Sequence, residues 1–231
     1  MEVLKPCKKI SIKGLHCHLG STIDDVSIYT QLFEQLNKII SEYPNTLGNV
    51  EIVNVGGGLG INYLHDASHM PTINDLCESL PKDSKFTVMV EPGRSLVGNT
   101  AVFLTQVIGV KRTTAKTFVV VDGSMTELIR PALYQAFHNI LPVAQNGRSG
   151  AEREKVDFVG PVCESGDFLG RDREVRLPRE GDLFAVMDAG AYCMAMASNY
   201  NLRARPAEIL VDGDTLRVIG ERETYEQVVR L

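Results

Sequence analysis

Three strand-like runs in the first hundred residues each break off into a cluster of glycines or polar side chains, and each is followed by further chain of helical pattern. Residues 10–17 read as a buried strand ending in His18-Leu19-Gly20-Ser21, residues 50–55 as one ending in Gly56-Gly57-Gly58-Leu59-Gly60, and residues 86–90 as one ending in Glu91-Pro92-Gly93-Arg94. After the first, apolar Ile28, Leu32, Leu36, Ile39 and Ile40 recur three and four apart and predict a helix over residues 24–42. Asp24 and Asp25 suit its first turn, where negative charge meets the positive end of the dipole, and Pro44 helps to stop it. Thr72 is placed to cap a shorter helix that runs to Leu80. Repeats of this kind call for a parallel sheet whose post-strand loops gather on one face, the face where a β/α barrel binds its ligand. A barrel takes about eight such units, and three are present here. The expectation is half a barrel, completed by strands from elsewhere or cut from a longer chain, because a three-unit sheet leaves open edges and bare apolar faces.

Past Ala101 the rhythm changes. Residues 103–111, 117–121, 155–159, 183–187, 208–211 and 215–219 read as short strands, and turns such as Asp122-Gly123 and Asp212-Gly213-Asp214 lie between them. That pattern predicts an antiparallel β domain. The expected division is residues 1–101 for the partial α/β barrel and 102–231 for the all-β part, with residues 146–153 as a polar loop.

Composition removes several classes of function. The net charge is −5 with basic residues scattered, aromatics are 6% and tryptophan is absent, so neither a phosphate-tracking patch nor a base-stacking platform is expected. No apolar run approaches the roughly 20 residues of a membrane helix. Five cysteines form no CxxC pair, which argues for a reducing compartment and against a metal site. The first 13 residues carry four lysines and no signal-peptide core. The expected location is the cytoplasm, or a plastid in a plant or alga.

Several segments carry candidate chemistry. The glycine run after the second strand suits a phosphate cradle, or else a tight turn. His16-Cys17-His18 has no further ligands near it in sequence and is not read as a metal site; a structural role is the alternative for either histidine. Glu91 could pair with a protonated ring nitrogen and Arg94 with a phosphate or carboxylate, or the two could form an internal salt bridge. Cys163, in Cys163-Glu164-Ser165-Gly166-Asp167, could donate a proton or be a structural thiol. Arg130 and Tyr134 lie four apart and would face one way on a helical turn. Tyr192, after Asp188-Ala189-Gly190-Ala191, could offer its hydroxyl to a phosphate or fill a core.

Taken in this order, the segments resemble the pyridoxal-phosphate-dependent decarboxylases of the alanine-racemase fold, and within them the diaminopimelate type. The likeness runs from His16 to Tyr225, and Asp122-Gly123-Ser124-Met125 and Cys163-Glu164-Ser165 are similar to the plant enzymes. The resemblance implies a β/α barrel half followed by an antiparallel β domain, and pyridoxal 5′-phosphate as cofactor. His18 would stack on the pyridoxal ring, with Ser21, Gly56, Gly57, Gly58, Gly93, Arg94 and Tyr192 around the phosphate. Glu91 would pair with the pyridine nitrogen. Arg94 and Tyr192 would also meet substrate. Cys163 would be the proton donor after decarboxylation, reaching the active site of the other subunit of a homodimer. The implied reaction is decarboxylation of meso-2,6-diaminopimelate, a small amino acid, to L-lysine and carbon dioxide. Charge supports that substrate: its distal head carries a carboxylate and an ammonium, which Arg130 with Tyr134 and Glu164 respectively suit. An ornithine or arginine decarboxylase would have no use for Arg130.

One departure stands out. The family's Schiff-base lysine lies in a Tyr-Ala-x-Lys-like motif, and none of Lys5, Lys8, Lys9 and Lys13 follows a Tyr-Ala pair. The expectation is therefore a chain inactive by itself, with a non-catalytic partner of a full-length subunit as the rival reading.

Overall fold

The computed structural model describes residues 9–144 and 152–229. The expected loop over residues 146–153 divides accordingly: 146–151 lie outside the described residues, while Arg153 already belongs to a strand. The chain forms two compact units, one of residues 1–62 and 66–98, the other of Tyr63–His65 and residues 99–231.

In the first unit, β1 (Gly14–His16), β2 (Ile52–Asn54) and β3 (Thr87–Met89) pair in that order, both pairs parallel. Each strand is only three residues long, shorter than its apolar run, because the chain turns into a loop where the polar clusters begin. Helix α1 (Ser27–Glu42) buries Tyr29, Leu32, Phe33, Leu36 and Ile40 on one face. Its four aliphatic and phenylalanine side chains contribute on the order of 6–12 kcal/mol of gross burial. They pack with Val53 and Val55 of the second strand run, and with Leu76 and Leu80.

Asp25 does not lie in the first turn of α1, which holds no acidic residue. Its carboxylate instead accepts from Ser27 N–H and Ser27 Oγ, both at 2.9 Å, so a side-chain turn precedes the helix and delays its start. Pro44 does more than end α1, since it opens a one-turn helix, α2 (Pro44–Leu47). Thr72 caps α3 (Ile73–Ser79) through a full capping box with Asp75. A single turn, α4 (Arg94–Val97), follows β3.

The second unit holds a six-stranded sheet. Its members are β4 (Phe103–Arg112), β5 (Thr117–Val121), β6 (Ile140–Pro142), β7 (Arg153–Val159), β8 (Phe168–Arg176) and β9 (Leu183–Val186), in spatial order β6-β9-β4-β5-β7-β8. Four pairings are antiparallel, and β5 with β7 is parallel. The core gathers Val107, Val119, Val121, Leu128, Phe158, Leu169, Phe184 and Val186.

Strands β6 and β8 are absent from the sequence reading. Residues 171–174 of β8 are Arg-Asp-Arg-Glu, which hides the apolar alternation. The pairing there also breaks register: Asp172, with φ of 52°, donates its N–H to Asp157 Oδ1 at 2.8 Å across a bulge. A helical turn, α5 (Arg130–Tyr134), sits between β5 and β6. The chain ends in a separate hairpin of β10 (Glu208–Asp212) and β11 (Thr215–Gly220), turned at Gly213 with φ of +57°, and a short α6 (Tyr225–Val228). Among the described residues no helix is long and apolar enough to cross a membrane, and no three His, Cys, Asp or Glu side chains are grouped to hold a metal.

Candidate functional site

The loops after the three parallel strands are tied to one another inside the first unit. Glu91 N–H donates to Gly56 O and Ile23 N–H to Gly58 O, both at 2.8 Å. A Cβ added at Gly57 would lie 2.0 Å from Glu91 O, and one at Gly58 2.0 Å from Gly20 O. Gly56 and Gly58 also hold φ of +73° and +99°, which side chains resist. Glycine is therefore required for loop packing. The amides of Gly56 and Gly57 are already engaged, donating to Asn54 Oδ1 at 2.8 Å and His18 Nδ1 at 3.1 Å. What the run supplies is proximity: it draws His18, Gly20 and Glu91 onto one rim, anchored below by the buried Tyr29 hydroxyl, which donates to Gly57 O at 3.1 Å.

On that rim Glu91 is half exposed, with Oε1 accepting from Asn54 Nδ2 at 2.7 Å and Oε2 lying 3.5 Å from His16 Nε2. Because Asn54 Oδ1 is taken by Gly56 N–H, the amide can only turn its NH2 toward the carboxylate. Asn54 had no role in the sequence reading, although an Asn two residues before a glycine turn is a known backbone-bonding signal. Arg94, the first residue of α4, is buried, and Nη2 donates to Ser21 Oγ at 3.0 Å. At Gly20 and Gly93 an added Cβ would meet nothing within 4 Å, so open space adjoins both. Chemically the rim offers a cationic and hydroxyl edge, an exposed imidazole and a carboxylate.

In the second unit Arg130 and Tyr134 occupy the two ends of α5 and differ sharply in environment: Arg130 is 5% exposed and Tyr134 62%. Arg130 Nη1 donates to His138 Nε2 at 2.7 Å, and its guanidinium lies 4.7 Å from the centre of the Tyr63 ring. Tyr63 meets His138 edge-on, with centroids 5.2 Å apart. His138 Nδ1 lies 2.8 Å from Met187 O. A carbonyl only accepts, so Nδ1 carries the proton and Nε2 offers its lone pair to the arginine. His138 is fully buried, and burial pushes its pKa down to about 4.

Cys163 is exposed, on the loop of residues 160–167. Asp167 shapes that loop by accepting from Met125 N–H at 2.7 Å and Val162 N–H at 2.8 Å. Burial raises the Asp167 carboxyl above its usual range, with both amides opposing. Glu164 is exposed and takes Gly166 N–H at 3.2 Å. Tyr192 is partly exposed with φ of 58°, at the end of a loop that opens on Asp188, φ 59°. Asp188, 2% exposed, is met by His65 Nε2 at 2.7 Å. The first unit thus assembles His18, Ser21, the glycine run, Glu91 and Arg94. In the second, Arg130 is joined through His138 to the residue that precedes the Asp188–Tyr192 loop. Sequence alone missed His16, Asn54, Tyr63, His65 and His138 as members of these clusters.

Comparison with known proteins supplies a family. The family described as pyridoxal-dependent decarboxylase, C-terminal sheet domain, matches residues 13–190. A diaminopimelate decarboxylase of Aquifex aeolicus (strain VF5) is 40% identical over 232 residues, spanning 99% of this chain and 54% of the relative. A probable chloroplastic diaminopimelate decarboxylase of Oryza sativa subsp. japonica is 44% identical over 225 residues, 96% of this chain and 46% of the relative. A crystal structure of the M. jannaschii diaminopimelate decarboxylase in complex with L-lysine superposes with a TM-score of 0.88 at 34% identity, over 100% of this chain and 54% of that one. The chain spans about half the length of the curated relatives it matches.

Proposed function

Because the chain belongs to the pyridoxal-dependent decarboxylases, we propose that it forms part of an enzyme that converts meso-2,6-diaminopimelate to L-lysine and carbon dioxide. The observation that carries this reading is the rim of the first unit. Ser21 Oγ and the buried Arg94 guanidinium meet at 3.0 Å beside open space at Gly93, which suits a phosphate, and Glu91 suits a protonated pyridine nitrogen. The donor set fits pyridoxal 5′-phosphate. Once bound, that cofactor supplies an electron sink for the carbon that loses carbon dioxide.

The chain's own residues do the rest. Asn54 holds Glu91 Oε1 from one side, so the carboxylate presents a fixed acceptor to the ring nitrogen. His18 is oriented by Gly57 N–H and offers its ring as a stacking face. Arg130, with Tyr134, recognises the distal carboxylate of the substrate, and Glu164 the distal ammonium. Tyr192 reaches the phosphate. Cys163 returns a proton to the α-carbon after carbon dioxide leaves, acting in the active site of the partner subunit of a homodimer. Half of a β/α barrel is the reading for the first unit, whose parallel sheet has the expected direction and loop placement. The cytoplasm, or a plastid in a plant, is the proposed location.

Turnover of meso-diaminopimelate and of ornithine by the full-length enzyme, before and after Arg130→Ala, tests the assignment. A loss confined to diaminopimelate supports it; equal losses, or preferred turnover of ornithine, refute it.

A further inference from the structure

Arg130 is almost wholly enclosed, yet the proposed function asks its guanidinium to meet a substrate carboxylate in a set orientation. Two neighbours fix the plane of that group. The Tyr63 ring lies against one face, 4.7 Å from the guanidinium carbon, and His138 Nε2 takes Nη1 at 2.7 Å. His138 is itself fixed from behind, because Met187 O at 2.8 Å claims its only ring proton. Met187 N–H in turn donates to Asn139 O at 2.8 Å, so the His138-Asn139 pair and the residue before the Asp188–Tyr192 loop are bonded in both directions. Asp188 is held by His65 at 2.7 Å. Two elements given roles in substrate and cofactor binding, α5 and the Tyr192 loop, therefore share one buried hinge point.

We propose that His138 is a positioning residue for substrate specificity: a tautomer-locked imidazole that aims Arg130 at the distal carboxylate and registers α5 against the loop carrying Tyr192. The inference rests on the reading of Arg130 given above. The groups facing the imidazole are Arg130, Tyr63, Asp188 and Arg173, with the Met187 carbonyl. Two nearby cations and a buried site keep the ring neutral, which the arrangement needs, since a doubly protonated ring would turn a donor toward Arg130.

Cadaverine, a diamine of the same five-carbon spacing, provides the discriminating test: meso-diaminopimelate and its product L-lysine both carry the distal carboxylate, because the carboxylate lost is the one on the reacting carbon, and cadaverine has none. In the full-length enzyme, His138→Leu is expected to weaken binding of diaminopimelate and of lysine about tenfold, the scale of a lost hydrogen bond to a charged group, and to leave inhibition by cadaverine within about twofold. His138→Gln, whose amide can accept from Arg130 and donate to Met187 O, is expected to restore most of the discrimination. Should His138→Leu fail to fold, Tyr63→Leu removes the facing ring and carries the same expectation. A parallel loss for substrate and cadaverine would overturn the proposal, as it would mark a merely structural histidine. Arg130→Ala separates the two levels. If that variant also weakens diaminopimelate and cadaverine equally, the reading of Arg130 falls; if its loss spares cadaverine and the losses of the His138 variants do not, only this inference falls. In the 231-residue chain itself, nitrogen NMR should show a single His138 tautomer with the proton on Nδ1. A protonated Nε2 would refute the geometry outright.

Discussion

Lowering the pH should strip stability from this protein through His138. The ring is 0% exposed and its pKa falls from the usual 6.5 to about 4, chiefly through burial. The sign follows from proton uptake. Between these two values the unfolded chain binds a proton that the folded chain refuses, so unfolding gains as pH falls. The stability is fully present above pH 6.5 and is lost progressively as pH falls toward 4. With one pKa unit equal to about 1.4 kcal/mol, the linkage amounts to less than about 0.2 kcal/mol at pH 7 and about 2 kcal/mol at pH 5. No screening discount applies to a ring without solvent contact. Urea unfolding at both pH values, followed by far-ultraviolet circular dichroism because the chain has no tryptophan, should show the midpoint moving by roughly 0.7–2 M. His138→Gln keeps an acceptor and a donor but cannot protonate, and its loss between pH 7 and 5 should be smaller by the same 2 kcal/mol or so. Buried Glu127 and Asp167, both raised, pull stability the opposite way on acidification, but they are common to both proteins and cancel in the difference. Equal acid losses in wild type and His138→Gln would refute the account of the neutral buried ring.

Three further outcomes are expected. Gly57→Ala forces a Cβ to 2.0 Å from Glu91 O, so it should cost about 1–3 kcal/mol or more in chemical denaturation and weaken pyridoxal phosphate binding in a fluorescence titration. Cys163→Ala in the full-length enzyme should sharply lower turnover while the cofactor dissociation constant stays put; full activity would remove the cysteine from the reaction. Thr72→Ala deletes the oxygen that takes Asp75 N–H at 3.2 Å and breaks a capping box, at about 1 kcal/mol in urea unfolding.

What the sequence made legible is what local chemistry decides. Thr72 with Asp75 announces a helix start, and the glycine run announces close backbone approach. The strand runs before the three polar clusters announce parallel pairing. What stayed hidden depends on partners far along the chain. Strand β8 hides behind Arg171, Asp172, Arg173 and Glu174, whose place in a sheet is settled by pairing with β7 rather than by alternation. The parallel β5–β7 pair has no local signature, because strand direction is set by the route of the connection. His138 reads as a lone histidine in an apolar stretch, and nothing near it points to Arg130 eight residues earlier or to Met187 far downstream. Arg130 and Tyr134 were expected to share a face, yet a five-residue helix that ends in a left-handed Gln135, φ 53°, leaves one buried and the other in solvent.

The assignment of Tyr63–His65 to the second unit has a consequence for how the protein can be made. No single cut in the chain releases that unit whole: a product beginning at residue 99 leaves Arg130 without its facing ring and Asp188 without its histidine. The same arrangement imposes an order on synthesis. His65 and Asp188 are 123 residues apart, so at 5–20 residues per second His65 is translated roughly 6–25 s before its partner. The second unit can close only after Asp188 has been translated, although residues 63–65 that belong to it precede the last part of the first unit.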